Sequence, residues 1–471
     1  MRNAVKLFAL QLLCHNITNM LFTSVLLLCS IAAIVLLSSR YRFSTFFVLI
    51  AVAMITGLVA GIDGPSVLQA VRSGFGTTLE KIGLLIIFGA TLGALLDRSG
   101  ATMSLARYML DKTGAGHAPQ AISLTGYVVG LPIFCDSGFV VLSGLALMLS
   151  RQTRGQHIRL IAGLATALFG IHCLAPPHPG ISAAAGAMQI DLGKAMLAGA
   201  VLAIVPILAA WFWIRWQSKS MEWTEIDPAT PAEEAPVLFE MNPRPLFALL
   251  PIAVPIVLIA LRSALALFPS GPSNTLFSII QFAGDPVAAL FTGIVISLFL
   301  FEKWDKSLIN GVLESAVEKS GPILAVTAAG GAFGAVINAL GPGAVYGPWL
   351  SGSGLGLWAP FLLAAILKTA QGSSTVAVIT TSAIIAPFLP ALGLADDTGR
   401  LFALMAMGCG SMTLSHANDS YFWVVSRFGQ LPVPATLRVF YTATLIMGSS
   451  GFLALWLVKY FINRSAGFFI S

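Results

Sequence analysis

Runs of about twenty apolar residues, the length that spans a bilayer, recur along the whole chain, and four of the longest are interrupted near their middles by polar segments. Uninterrupted candidate spans are 21–39, 44–62, 80–97, 193–214, 246–268, 286–301, 320–339 and 437–460. Stretches 119–150 and 359–392 break at GLPIFCDSG and AQGSST, and stretches 160–190 and 401–430 break at PPHPG and SHANDS. Hydrocarbon offers no water to backbone N–H and C=O groups. Spans must therefore be helices, and a break survives at that depth only where it is buried in protein or lines a cavity. The pattern predicts an all-α polytopic membrane protein. Charged residues make up 10% of the chain, against roughly 25% in a soluble domain, which excludes an ordinary soluble enzyme. A mean hydropathy of +0.87 excludes disorder.

The net charge of +6 is scattered over short polar interruptions, with no basic tract for nucleic acid. The five cysteines stand singly in apolar runs and read as small buried hydrophobes. Residues 1–20 read as an N-terminal extension: Leu7–Leu13 is a short apolar run without a small-residue cleavage site, and Met20 is a plausible alternative start.

The chain repeats itself. EKIGLLIIFGATLGALLDRSG from Glu80 matches EKSGPILAVTAAGGAFGAVINALG from Glu318, with Gly89, Gly93 and Gly100 opposite Gly330, Gly334 and Gly341, a shift of 241 residues. The same shift brings GLPIFCDSG near AQGSST and PPHPG near SHANDS. Lysine and arginine mark cytoplasmic loops. Stretch 119–150 is flanked by Arg98, Arg107 and Lys112 before it and Arg151, Arg154 and Arg159 after it, so both ends face the cytoplasm and the stretch is a re-entrant hairpin. The matching flanks of the second half, the uncharged residues 340–358 and ADDTGR, look extracytoplasmic. Equivalent loops on opposite sides predict two inverted-topology repeats, each with about five spanning helices, one of them broken, and one re-entrant hairpin. The repeats are 21–214 and 246–471, joined by a Pro-rich, acidic cytoplasmic linker, 215–245. Arg40, Arg42, Lys303 and Lys306 then face inside, whereas Arg2, Lys6, Lys459 and Arg464 fall outside, against the rule.

Within the breaks, a few residues carry chemistry. Asp136 is an ionisable group at membrane depth, which needs a partner, water or a proton; it can carry a proton, or cap the second hairpin arm through the N–H groups of Gly138 or Phe139. In AQGSSTV, Gly372 permits a sharp turn, and Ser373, Ser374 and Thr375 open the next helix, whose free N–H groups suit an anion, unless they serve capping alone. Lys368 adds a fixed positive charge there or snorkels to an interface. His178, between prolines that unwind the helix, can relay protons or fix the loop by hydrogen bonds. His416, Asn418 and Asp419 make the other break denser in polar groups than packing requires. The histidines look single, and no spacing points to a metal or to a covalent nucleophile.

At these motifs the chain resembles the gluconate:proton symporter (GntP) family. Its members carry an acidic residue in a Gly-rich break before GF (GLPIFCDSGFVVL here), PPHPG followed by small residues, a basic residue before AQGS, and a late SH-ND segment before aromatics (LSHANDSYFW). The likeness runs over residues 20–465. It implies proton-coupled uptake of a small polyhydroxy carboxylate across the bacterial inner membrane, without cofactor: gluconate, a related sugar acid or, in some members, D-serine or glycerate. The wider superfamily has inverted repeats and paired hairpins and is often dimeric, which leaves a homodimer open. On this reading the substrate binds Gly372, Ser373, Ser374, Thr375, Lys368, Ser137, His178 and Asn418, and Asp136, Asp419 and His178 take up the proton. A sodium-coupled carboxylate carrier on the same architecture is the nearest alternative.

Overall fold

The computed structural model describes residues 22–23, 25–152, 156–220, 243–265, 275–302, 304–341, 354–416 and 418–468. Residues 1–20, most of the 215–245 linker, Arg154, Lys303 and most of the uncharged 340–358 flank lie outside them.

The described chain is helical. In order the helices are α1 (Val25–Ser38), α2 (Thr45–Val59), α3 (Gly64–Arg98), α4 (Ala101–Thr113), α5 (Ala118–Val129), α6 (Cys135–Gln152), α7 (His157–Leu174), α8 (Pro179–Ala187) and α9 (Leu192–Gln217). They continue with α10 (Pro245–Leu265), α11 (Thr275–Ala283), α12 (Pro286–Leu298), α13 (Lys306–Ala339), α14 (Trp358–Gln371), α15 (Ser374–Ile385), α16 (Asp397–Met412) and α17 (Ser420–Phe428). The short α18 (Val433–Thr436) runs through a π turn into α19 (Thr442–Phe468). Among the described residues, six stretches are long and apolar enough to cross a membrane: Gly64–Arg98, His157–Ala187, Leu192–Gln217, Pro245–Arg262, Lys306–Ala339 and Val433–Ile462. The chain is thus an all-α, multi-spanning membrane protein.

Each of the four polar interruptions separates two helices, α5 from α6, α7 from α8, α14 from α15 and α16 from α17. Three features differ from the sequence expectation. The spans at 80–97 and 320–339 are the C-terminal parts of helices of 35 and 34 residues. The span at 286–301 follows a 75° bend after α11. The segment after Gly100 folds as the separate helix α4. A hydropathy window registers bilayer-length apolar runs and not the polar helix that continues beyond them. That continuation is set by caps: Asp63 accepts the Ser66 N–H (3.0 Å) to start α3, and Asp305 accepts those of Ser307 (2.9 Å) and Leu308 (3.2 Å) to start α13.

Moving the first-half boundaries by the 241 residues between Gly89 and Gly330 puts α8 on α17 residue for residue, α3 and α5 within one residue of α13 and α14 at both ends, and the start of α7 within one residue and its end within three of those of α16. Contacts follow the same exchange. The partners α3 with α12, α5 with α7 and α6 with α17 recur as α13 with α2, α14 with α16 and α15 with α8. Helices α7 and α16 are buried along almost their whole length and form the centre. The long helices α3 and α13 pack antiparallel: Val67 and Val336 both stand against Gly57, and Gly74, further along α3, meets Gly331, further back along α13. A Cβ on Gly74 would run into the Gly331 carbonyl and stand 2.9 Å from the Ala332 Cα, so the two backbones approach closely there, with the Thr78 and Ala335 side chains beside them. Outward-facing Val201, Ile204, Leu208 and Phe212 make an apolar stripe along α9.

Candidate functional site

The site forms where the turn between α14 and α15 rests on the break between α16 and α17. Gly372 takes a left-handed conformation (φ 76°), and its N–H closes α14 on the Lys368 carbonyl at 2.8 Å. A Cβ at this position would run into the Asn418 backbone, so the tip needs glycine for its conformation and for its closeness. Asn418 Nδ2 donates to the Thr369 carbonyl at 2.7 Å, which ties break to tip. Ser373 caps α15, accepting the Val376 N–H at 3.3 Å. The capping expected of this serine is therefore realised, and Ser374 and Thr375 form the first turn.

Beneath the tip lies the pair that sequence alone did not join. Lys368 is completely buried, and its Nζ donates to Asp419 Oδ2 at 2.5 Å. The alternative in which Lys368 snorkels to an interface is overturned: the side chain points inward because a carboxylate waits for it there, with the Phe169 ring face 5.8 Å from Nζ. Asp419 is shared among three donors, Lys368, the Ser415 hydroxyl on Oδ2 (2.5 Å) and the Tyr421 N–H on Oδ1 (3.0 Å). It is the N-cap of α17, and Tyr421 stacks on Phe169 and donates its hydroxyl proton to the Ala165 carbonyl at 3.0 Å, locking α17 to α7.

His178 is the corresponding N-cap of α8, 241 positions earlier, and it too reaches back to its own hairpin. Its Nε2 bonds the Gly130 carbonyl at 2.7 Å, and its Nδ1 stands 3.2 Å from Nδ1 of His172. The expectation of single histidines is corrected: six residues apart across the prolines, these two rings meet because the break folds His178 back beside α7. A carbonyl at Nε2 makes that nitrogen the donor, so His178 Nδ1 accepts and His172 Nδ1 donates. Both nitrogens of His178 are then engaged.

Asp136 opens α6 without capping it. The Gly138 N–H goes to the Phe134 carbonyl at 2.9 Å, and no described residue bonds the Asp136 carboxylate. The residue is exposed, and its carboxylate is within electrostatic range of Asp419. Ser137 beside it is half-buried. Hairpin and break also cross between halves, because Gly180, the last residue of PPHPG, lies against the Thr375 backbone. A residue that sequence reading passed over is Gln371. Both polar atoms of its amide are buried at the tip, and neither has a hydrogen-bond partner among the described residues. The signal for it was its place in the AQGSST motif.

A cavity of about 470 Å³ runs beside α15 from Ile379 to Pro390 rather than over the tip. Ile379 is about 8 Å along the helix from Ser374 at 1.5 Å per residue, so the cavity approaches the tip from one side. Among the described residues its lining holds two cationic ones, Lys81 and Arg400, and no acidic one. Among the described residues, no three His, Cys, Asp or Glu side chains gather as a metal-holding group.

The sequence model described as GntP family permease matches residues 22–461. An uncharacterised permease of Haemophilus influenzae is 33% identical over 85% of this chain and 84% of its own. The Gnt-II system L-idonate transporter of Escherichia coli is 30% identical over 92% of this chain and 98% of its own. The gluconate permease of Pseudomonas aeruginosa is 27% identical over 92% and 96%. Among solved structures, the Alcanivorax borkumensis YdaH transporter superposes with a TM-score of 0.56 at 15% identity, covering 85% of this chain and 89% of its own, a likeness of fold.

Proposed function

The chain belongs to the GntP family of permeases, multi-pass proteins of the bacterial inner membrane, and on that premise we propose that it imports a small hydroxy-carboxylate together with protons. The observation that carries this reading is the buried Lys368–Asp419 pair under the hairpin tip. The Lys368 ammonium is neutralised by its own carboxylate, and a substrate anion can take it over only once Asp419 loses its charge. A proton on Asp419 does this. Anion and proton then enter together, and the desolvated site never holds an uncompensated charge. Asp136, exposed and within electrostatic range of Asp419, is the group through which the proton arrives and leaves. The carboxylate docks on the tip formed by Gly372, Ser373, Ser374 and Thr375. Its hydroxyls are read by Gln371, Asn418 and Ser137. His178 holds the first hairpin in place through Gly130 and acts on the proton path through that position.

The architecture we propose for this cycle is a pair of inverted repeats, 21–214 and 246–471, rocking about the midplane site. The common shift of element boundaries, the exchange-symmetric contacts and the antiparallel packing of α3 on α13 support it. The cavity beside α15, with Lys81 and Arg400, is then the outer approach for an anion.

Proteoliposome uptake tests the function. A pH gradient, acid outside, should drive accumulation of labelled gluconate, L-idonate or D-glycerate above equilibrium, and competition among these and D-serine ranks the substrate. Uptake that stops when choline replaces sodium at fixed pH would overturn proton coupling in favour of sodium.

A further inference from the structure

At the ends of α5, α7 and α9 lies a second cavity, of about 270 Å³, that the transport cycle does not use. Arg159, Arg215, His117, Gln120, Gln156 and Trp211 line it, and among the described residues no acidic one does. Arg159 is held by its Nε donating to Ser218 Oγ at 2.8 Å, and its Nη groups take no partner among the described residues. The Arg215 guanidinium lies over the Trp211 ring, 5.4 Å from its centre, a cation–π contact that leaves its N–H donors available. His117 and Gln156 are the N-caps of α5 and α7, and neither makes a side-chain cap. The first-turn amides of two helices of 12 and 18 residues therefore adjoin the same basic recess.

The surroundings say what kind of anion fits. The apolar stripe of α9, with Val201, Ile204, Leu208 and Phe212 between 45% and 68% exposed, leads along the helix to Arg215 and ends at exposed Trp216. An acyl chain can lie along that stripe while a phosphate reaches the arginines. A tryptophan at the end of a lipid-facing helix marks the level of the headgroups. We infer that this cavity binds the phosphate of an anionic phospholipid whose chains lie along α9. A soluble phosphate ester offers the same chemistry without the chains.

The test uses the full-length chain in detergent, with native mass spectrometry and thermal stability read against added phosphatidylglycerol, phosphatidylcholine or glycerol 1-phosphate. Phosphatidylglycerol should bind one molecule per chain, about tenfold or more in preference to phosphatidylcholine, from two arginine contacts. The double variant R159Q/R215Q should lose that preference. Gln120→Glu keeps both arginines and adds a negative charge at an exposed position, and it should lower the preference several-fold even if the double variant folds poorly. Equal retention of the two lipids by the wild type, or undiminished preference in Q120E, would overturn the inference. Displacement of phosphatidylglycerol by millimolar glycerol 1-phosphate would overturn the lipid as occupant in favour of a soluble ester.

Discussion

Replacing Asp419 with asparagine isolates the charge of the buried pair. The amide oxygen can still accept the Tyr421 N–H, so the start of α17 is preserved, but the Lys368 ammonium loses its counter-charge in a place where 0% of its side chain meets solvent. Removing one partner of a buried ion pair costs about 3–5 kcal/mol, because the other is left uncompensated, whereas replacing both with uncharged groups is often close to neutral. At about 2 °C per kcal/mol, the value for larger domains, D419N should melt about 6–10 °C below wild type in detergent. Lys368→Met should fall by a similar amount, since it strands the carboxylate. The double variant K368M/D419N should recover most of the loss, so that the cycle shows a coupling of several kcal/mol. Differential scanning fluorimetry on the four proteins measures it. Singles within about 2 °C of wild type, or a double variant that loses the full sum, would refute the claim that each charge is held by the other. Transport separates the electrostatic role from the structural one: the double variant should remain inactive despite its restored stability.

Asp136→Asn should abolish uphill accumulation while counterflow exchange of labelled for unlabelled substrate continues; full uphill uptake would remove Asp136 from the proton path. Gly372→Ala should cut uptake at least about tenfold, because it forces an L residue to φ 76° and drives a methyl group into the Asn418 backbone; wild-type uptake would show that the tip yields freely. His172→Phe removes the donor that satisfies His178 Nδ1 and should destabilise the protein by about 1–3 kcal/mol, the cost of a buried polar group left unmade; an unchanged melting temperature would mean that the ring pair is not a hydrogen bond. Single cysteines at Lys112 and Asp397 should react with an impermeant maleimide from opposite faces of the membrane, and labelling from one face would overturn the inverted repeats.

The four interruptions were legible because polar residues in an apolar span are costly exceptions, and every one of them fell between two helices. Gly372 was legible for the same reason, as a turn residue inside a span. The pairing of Lys368 with Asp419 was not: both were singled out, but 51 positions separate them, and each was given a separate task. Local spacing says nothing about which break a hairpin tip will rest on. His172 escaped because it sits inside a helix and looks like any buried polar residue until the following prolines fold His178 back onto it. The lengths of α3 and α13 were missed because their outer halves are held by caps and by contact with each other, and neither raises local hydropathy.

The meeting of Gly74 and Gly331 has a consequence for heredity. Positions 257 residues apart in the chain share one van der Waals gap, and neither can gain volume unless the opposite helix retreats. The two halves must therefore be inherited as a matched set. A chimaera that took its first half from one relative and its second from another would assemble only if both parents had kept that gap empty.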